Sequence, residues 1–156
     1  MGSYRLCLAP APRRISIAIG HKPTAATSGR PRDSGGCTHV LSLLSERESP
    51  REATSTRLRL PLASADPPAA ARIPEILECF AQLRALLEEG AKIYIHCSAG
   101  LHRTGMITHA FLRSLGYSRD EAMALIRELR EATADGAGAH RLDWGDQFAV
   151  EPTSRG

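Results

Sequence analysis

One short segment constrains the fold of this chain more than any other. Residues 96–105 read His-Cys-Ser-Ala-Gly-Leu-His-Arg-Thr-Gly, follow an apolar run at 91–95 and precede a helical pattern. An apolar, β-branched run of that length predicts a buried strand. The order is then strand, tight loop and helix, with the thiol of Cys97 at the entrance of the loop and the guanidinium of Arg103 at its exit. This layout predicts a site that handles phosphate.

The chemistry of the loop follows from its position at the N-terminus of a helix. Backbone N–H groups converge there and the helix dipole adds partial positive charge, so the loop can bind an oxyanion. Arg103 can clamp two phosphate oxygens with a bidentate pair of hydrogen bonds. The same positive field favours the thiolate form of Cys97, which can then attack phosphorus. Thr104 can donate its hydroxyl to the sulfur when the sulfur leaves.

The positions between the cysteine and the arginine are expected to face the substrate. They are Ser98, Ala99, Gly100, Leu101 and His102. Gly100 allows backbone angles that a Cβ would resist. His102 has a second interpretation as a solvent-exposed loop side chain. For the segment as a whole, the alternative is a buried structural cysteine beside a solvated arginine.

These residues resemble the signature of the cysteine-dependent protein tyrosine phosphatases, specifically the compact dual-specificity type. That signature is His-Cys, five variable residues, Arg, then Ser or Thr, and it is matched at His96, Cys97, Arg103 and Thr104. The resemblance implies an α/β fold with a small, mostly parallel central sheet flanked by helices. The length of the chain predicts a single domain over 1–156. The resemblance also implies phosphomonoester hydrolysis through a cysteinyl-phosphate intermediate.

A phosphatase also needs a carboxyl group that protonates the leaving oxygen. The best candidate is Asp66, which lies in a Pro-rich loop after a short predicted strand at 56–60. The resembling family carries its general acid on a comparable loop upstream of the cysteine. The alternative is a plain surface turn, since Asp and Pro favour turns for backbone reasons alone. The other carboxylate candidates are Asp33, Glu75 and Glu78.

The sequence leaves the substrate class open between three hypotheses. The first is a dual-specificity or tyrosine-type protein phosphatase, and the second is the same chemistry on an RNA end, a nucleotide phosphate or an inositol phosphate. No position between Cys97 and Arg103 is permanently charged, which argues against a polyphosphorylated ring. Basic residues of the N-terminal third could still line one rim of a site for a polyanion: Arg13, Arg14, Lys22, Arg30 and Arg32. The third hypothesis, a catalytically silent phosphate-binding module, does not explain the thiol.

Composition bounds the partners and the location. The four cysteines, Cys7, Cys37, Cys79 and Cys97, show no Cys-x-x-Cys spacing, which is typical of a reduced, intracellular protein. The chain has no signal-peptide core and no apolar run of about 20 residues, so we expect a cytoplasmic protein without a membrane partner. A net charge of +3 and the lack of interleaved aromatic residues predict no DNA partner. The histidines lack zinc-ligand spacing, and the chemistry requires no metal or cofactor.

Apolar patterning predicts the remaining elements. Strands are expected at 4–8, 15–19 and 37–44, and helices at 69–89, at 104–115 and from a Ser118–Glu121 capping box onwards. A short helix is expected at 46–54, a Gly/Ala loop at 134–139 and a last helix at 141–150. In that last helix we expect Trp144 to be a packing residue, while Gln147 lies where the resembling family often has a glutamine.

Overall fold

The computed structural model describes residues 3–8, 13–21, 37–48 and 54–150, with side chains from residue 16 onwards. Within these residues the strands are β1 (Ser3–Leu8), β2 (Arg13–Gly20), β3 (His39–Ser42), β4 (Arg57–Arg59) and β5 (Lys92–His96). The helices are α1 (Ile73–Glu88), α2 (His102–Ser114), α3 (Arg119–Leu129), α4 (Glu131–Gly136) and α5 (Ala139–Asp146). A 3₁₀ turn at Ala70–Arg72 leads into α1.

The strands form one sheet in the order β1-β2-β5-β3-β4. β2, β5, β3 and β4 run parallel, and β1 pairs antiparallel with β2 at the edge. The last residues of the parallel strands are in register, because His96 pairs with both Gly20 and Ser42, and Ser42 pairs with Arg59. The loops that follow these four strands therefore leave the sheet at the same edge, where ligands bind in open parallel sheets. The expectation of a small, mostly parallel sheet flanked by helices is confirmed.

The loop between the central strand β5 and the helix α2 is anchored because both elements are buried. Ile93 and Ile95 of β5 and Met106 and Ile107 of α2 are completely buried. Apolar burial on this scale makes both elements part of the core. The loop that joins them is therefore held at both ends by packed, regular structure.

Two of the expected elements differ in the structure. The Gly/Ala loop predicted at 134–139 is wrong, because residues 131–136 form α4 and only residues 137–138 connect it to α5. Thr133 and Ala134 are buried, and Thr133 packs beside Gly105 of α2, so tertiary packing outweighs the weak helix propensity of this segment. The helix expected at 46–54 is not formed in its described residues, which are a turn at 46–48 and irregular backbone at 54. The capping box of Ser118 and Glu121 is confirmed at the start of α3.

The turn at 46–48 is closed by reciprocal hydrogen bonds between its ends. The N–H of Ser45 donates to Oε1 of Glu48 at 3.1 Å, and the N–H of Glu48 donates to Oγ of Ser45 at 3.3 Å. The same pair of bonds is common at the beginning of a helix, but here it closes a turn. The Glu48 carboxylate also accepts a hydrogen bond from Arg103 of α2.

Helices α2 and α5 are joined by a partly buried polar contact between the buried His109 and the half-buried Asp146. The Nε2–H of His109 donates to Oδ1 of Asp146 at 2.9 Å, and the guanidinium groups of Arg113 and Arg119 donate to the same carboxylate at 3.1 and 2.9 Å. Burial alone would raise the pKa of Asp146, but the hydrogen bonds from His109 and Arg119 outweigh it and lower the pKa. Gly145 allows this close approach, since a Cβ there would lie 2.6 Å from Cδ2 of His109.

His109 is kept neutral by the same surroundings. Burial lowers its pKa, and the hydrogen bond to Asp146 offsets this only in part. Within the part of the chain that the structure describes, Nδ1 of His109 has no hydrogen-bond partner. A second proton on the ring would therefore be buried without an acceptor, which is unfavourable.

Acidification should destabilise the fold through His109. Below the ordinary histidine pKa of 6.5 the unfolded chain takes up a proton that the folded chain does not, so stability present above this pH is lost as the pH falls. We expect the free energy of unfolding, measured by urea denaturation at about pH 7.5 and about pH 5.5, to fall more in the wild type than in His109→Gln. His140→Gln, at an exposed histidine of α5, is the control and should keep the wild-type pH dependence. The same pH dependence in His109→Gln and wild type would contradict the prediction.

Candidate active site

The loop between β5 and α2 bends around the sulfur of Cys97. The N–H of Gly100 donates to Sγ at 3.2 Å, and Oγ1 of Thr104 donates to it at 3.0 Å. No side chain caps the N-terminus of α2, where Leu101 is the N-cap residue, so the first amides of the helix remain available to an anion. Donors to the sulfur and a helix N-terminus beside it both stabilise a thiolate.

The other cysteines of the described chain lie in different surroundings. Cys37 and Cys79 are free, buried thiols; burial raises the pKa of Cys37 and raises that of Cys79 to about 12. Thiols with raised pKa values are unreactive near neutral pH. Cys97 is also buried and free, but its sulfur accepts two hydrogen bonds at a helix N-terminus. The two other described thiols fit a structural role, whereas the geometry at Cys97 fits a nucleophile.

The outer side of the loop is held by residues that follow it by about 30 positions. Nη1 of Arg130 donates to the carbonyls of Ala99 and Gly100, both at 3.0 Å, and Oγ1 of Thr133 donates to the carbonyl of Gly100 at 2.5 Å. Carbonyls held outwards leave the N–H groups of the loop to face inwards as an anion-binding concavity. Gly100 is required here, because its φ is +71° and a Cβ would overlap the backbone of Gly20 and the guanidinium of Arg130.

Arg103 is held by a carboxylate that the sequence analysis did not identify. Nη1 and Nη2 of Arg103 donate to the two oxygens of Glu48 at 2.6 and 3.0 Å, and Nη1 also donates to the carbonyl of Leu62 at 3.0 Å. These contacts use three of the five guanidinium N–H groups. No described carboxylate or carbonyl accepts from the Nε–H and the second Nη2–H, and a parallel pair of this kind has the geometry that binds two phosphate oxygens.

The charges of this pair are well defined. The hydrogen bond from Arg103 lowers the pKa of Glu48 to about 2, so Glu48 is ionised throughout the physiological range. The hydrogen bond to Glu48 raises the pKa of Arg103, and Cys97 adds a smaller contribution in the same direction. The guanidinium therefore lies within interaction range of the thiol while its position is set by Glu48.

Asp66 is at the same edge of the sheet, in the loop that follows β4. The hydrogen bonds between β4 and β3 continue beyond the end of β4. The N–H of Leu60 donates to the carbonyl of Ser42 at 3.0 Å, and the N–H of Leu62 donates to the carbonyl of Leu43 at 3.2 Å. Leu60 and Leu62 are buried, whereas Asp66 is exposed. Since Arg103 binds the carbonyl of Leu62, the loop with the carboxylate is attached directly to the loop with the thiol.

The remaining carboxylate candidates lie elsewhere or outside the described residues. Glu75 pairs with Arg72 at 3.0 Å in the first turn of α1, and Glu78 is exposed on the same helix. Asp33 lies outside the described residues. The same holds for the side chains of the basic N-terminal third, Arg13, Arg14, Lys22, Arg30 and Arg32.

Around the loop the exposed positions are Ser98, Ala99 and His102. Nδ1 of His102 donates to the carbonyl of Gly136 at 2.7 Å, so this ring is directed to the C-terminus of α4. His96 is buried, stacks on Tyr94 with ring centroids 5.8 Å apart and has Nδ1 3.3 Å from the carbonyl of Cys97. Through these contacts His96 packs against the first residue of the loop.

The two residues singled out in the last helix do not contact the loop in the described hydrogen bonds and ring contacts. Trp144 packs edge-on against Phe148 at 5.0 Å, so its expected role in packing is confirmed. The side-chain amide of Gln147 donates to the carbonyl of Trp144 at 2.7 Å. Gln147 is thus directed back to the end of α5, which stops at Asp146, so the expected helix at 141–150 is wrong over its last four residues.

No group of three or more His, Cys, Asp or Glu side chains in the described ranges is arranged to hold a metal ion. No helix described in this structure is long and apolar enough to cross a bilayer.

Replacing Glu48 tests whether its charge positions Arg103. Glu48→Gln keeps the size of the side chain but weakens the bidentate contact, so we expect kcat/KM for an aryl phosphate to fall about 10- to 100-fold and inorganic phosphate to inhibit less strongly. Glu46→Gln is the matched control, because Glu46 lies in the same turn, is exposed and pairs with Arg59 at 3.4 Å. Unchanged kinetics in Glu48→Gln, or equal losses in both variants, would contradict the assignment.

Comparisons with known proteins agree with this geometry. The family model described as dual specificity phosphatase, catalytic domain, matches residues 19–141. No curated protein sequence matches the chain.

Solved structures with the same fold include Tk-PTP in its active form, at 22% identity and a TM-score of 0.66 over 86% of this chain and 90% of that one. PTPMT1 in complex with PI(5)P matches at 18% identity and a TM-score of 0.67, over 85% of this chain and 88% of that one. Kinase associated phosphatase, with serine in place of its catalytic cysteine, matches at 18% identity and a TM-score of 0.63, over 97% of each chain. The family model covers most of the chain, and the fold agrees with it. The chain therefore belongs to the dual-specificity phosphatase catalytic-domain family of cysteine-based phosphatases.

Proposed function

We propose that this protein hydrolyses phosphomonoesters through a cysteinyl-phosphate intermediate and acts as a dual-specificity or tyrosine-type protein phosphatase. One observation carries the proposal: the sulfur of Cys97 accepts two hydrogen bonds at the N-terminus of α2. The guanidinium pair of Arg103 that remains for phosphate is held beside it by Glu48. A nucleophile, an anion-binding loop and a bidentate cation together fit phosphoryl transfer.

In the first step the thiolate of Cys97 attacks phosphorus and the bond to the leaving oxygen breaks. Asp66 gives its proton to that oxygen. The loop amides and Arg103 bind the equatorial oxygens, where negative charge develops. The products of this step are the dephosphorylated alcohol or phenol and phosphocysteine.

In the second step water attacks the phosphocysteine. Asp66 now accepts a proton from the water, the S–P bond breaks and inorganic phosphate is released. The hydroxyl of Thr104, 3.0 Å from the sulfur, donates to the departing thiolate. No step requires a metal or a cofactor.

The rim of the loop supports a substrate with a single phosphate on a protein side chain. The exposed positions around the loop, Ser98, Ala99 and His102, carry no permanent positive charge that would bind additional phosphates. PTPMT1 was solved with PI(5)P, so a lipid or inositol phosphate belongs among the alternative substrates, with RNA ends and nucleotide phosphates. The proposal retains a single domain over 1–156 and the cytoplasmic location that the cysteine spacing predicts.

Cys97→Ser should abolish turnover while phosphate binding is kept, because the hydroxyl is not ionised at neutral pH. We would measure phosphate release from an aryl phosphate, phosphotyrosine and phosphothreonine peptides, inositol phosphates and RNA with terminal phosphates, with Cys97→Ser as the blank. The highest kcat/KM is expected for a phosphopeptide, and Cys37→Ala should keep activity. Activity of Cys97→Ser near the wild type would contradict the mechanism, and a preference for RNA or inositol phosphate would contradict the substrate class.

Asp66→Ala should slow the hydrolysis of a substrate more when its leaving oxygen is more basic, because such an oxygen must be protonated as it leaves. For a phosphotyrosine peptide or phenyl phosphate we expect kcat to fall about 10²- to 10⁴-fold, with a much smaller loss for an activated aryl phosphate. Asp120→Ala, at an exposed carboxylate of α3, is the control. Equal losses on both kinds of substrate would contradict Asp66 as the general acid and move that role to Asp33 or another carboxylate.

A further inference from the structure

The loop that carries Asp66 has few attachments to the rest of the protein. The backbone ladder that follows β4 ends with the hydrogen bond from Leu62 to Leu43. Between this point and Ala69, the N-cap residue of the 3₁₀ turn, the described hydrogen bonds include one long-range contact, from Arg141 to the carbonyl of Ala65. The position of Asp66 within its loop therefore depends on this contact more than on the sheet.

The contact acts on the peptide unit that precedes the Asp66 side chain. Nε of Arg141 donates to the carbonyl of Ala65 at 2.7 Å. The N–H of the same peptide unit, which belongs to Asp66, donates to Oγ of Ser64 at 3.2 Å. Because a peptide unit is planar and rigid, the long-range hydrogen bond at its oxygen and the local one at its hydrogen together restrict the position of the Asp66 Cα.

Arg141 is itself well supported. Its Nη1 donates to the carbonyl of Ala137 at 3.0 Å, so the side chain folds back over the N-terminus of α5. Gly138, with φ of +79°, makes room for it, since a Cβ there would lie 2.7 Å from Nη1 of Arg141. α5 is in turn fixed to α2 by the hydrogen bond between Asp146 and His109. The helix that begins at the phosphate-binding loop thus supports, through α5, the loop with the carboxylate.

We propose that Arg141 is a positioning residue for the general acid and that its hydrogen bond to the Ala65 carbonyl keeps the Asp66 carboxyl within reach of the leaving oxygen. This inference rests on the proposed function of Asp66. Arg141 binds backbone and not the carboxylate, so its loss changes the position of the acid and not the nucleophile, the phosphate clamp or the acidic group itself. The effect must therefore depend on the leaving group, which a general loss of stability would not produce.

Arg141→Met tests this, because methionine keeps most of the apolar stem and removes every donor. On a series of aryl phosphates with leaving groups of increasing basicity, we expect kcat to fall about 10- to 100-fold for phenyl phosphate and less than about 2-fold for the most activated member. Arg84→Met is the matched control, at an exposed arginine of α1 that pairs with Glu88 at 3.4 Å. Equal loss across the series, or no loss, would overturn the inference.

A double variant separates positioning from a general effect. If Arg141 acts through Asp66, then Asp66→Ala with Arg141→Met should be no slower on phenyl phosphate than Asp66→Ala alone, since contributions of coupled residues do not add. Ser64→Ala, which removes the contact at the other end of the peptide unit, should show a smaller loss with the same dependence on the leaving group. The Ser64→Ala variant tests the inference even where Arg141→Met folds poorly. A loss of kcat that is the same for all leaving groups would overturn the inference.

The two proposals fail in different ways. If Asp66→Ala itself shows no dependence on the leaving group, the acid assignment in the proposed function is wrong. If Asp66→Ala shows the dependence while Arg141→Met and Ser64→Ala do not, the proposed function holds and the positioning role of Arg141 is wrong.

Discussion

The ion pair between Arg103 and Glu48 is the interaction on which the rest of the site depends. A guanidinium has five N–H groups in one plane, so a carboxylate that takes one edge also orients the other edge. Glu48 occupies the edge formed by Nη1 and Nη2, and the Leu62 carbonyl takes a further hydrogen of Nη1. Three segments, the start of α2, the turn at 46–48 and the loop after β4, are joined at this one side chain. The orientation of the guanidinium is thereby set by the protein itself, as the proposed binding of phosphate requires.

The loop around Cys97 is held from two sides by contacts that differ in kind. On one side Gly100 lies against the backbone of Gly20, and the hydroxyl of Tyr94 donates to the carbonyl of His21 at 2.7 Å. Burial raises the pKa of Tyr94, so this hydroxyl remains a donor at neutral pH. On the other side Arg130 binds the carbonyls of the loop and adds positive charge. A narrow loop held in this way has little freedom to turn its N–H groups away from the anion, which is the preorganisation that electrostatic catalysis requires.

Local sequence patterns predicted most of the elements because each depends on residues close in the chain. The run before Cys97 becomes β5, and the helix expected from residue 104 begins two residues earlier, at His102, because the end of the loop already forms its first turn. The helix expected at 69–89 is divided into a 3₁₀ turn and α1, and it ends before Gly90, whose φ is +94°. The prediction failed at α4, where burial of Thr133 beside α2 decides between helix and loop and the local composition does not.

The sequence by itself predicted the candidate nucleophile Cys97, the candidate phosphate-binding Arg103 and the loop between them, because all three lie within a few residues and their proposed chemistry depends on that spacing. It also indicated a carboxylate on an upstream loop. Only the tertiary structure decided which distant residues support them, since Glu48 lies 55 positions from Arg103, Arg130 lies 30 positions from Gly100 and Arg141 lies 76 positions from Ala65. The physical reason is that these contacts join side chains to backbone carbonyls or to a single carboxylate across the edge of the sheet. No spacing in the sequence records which arginine will reach which carbonyl, because that depends on how the strands and helices pack.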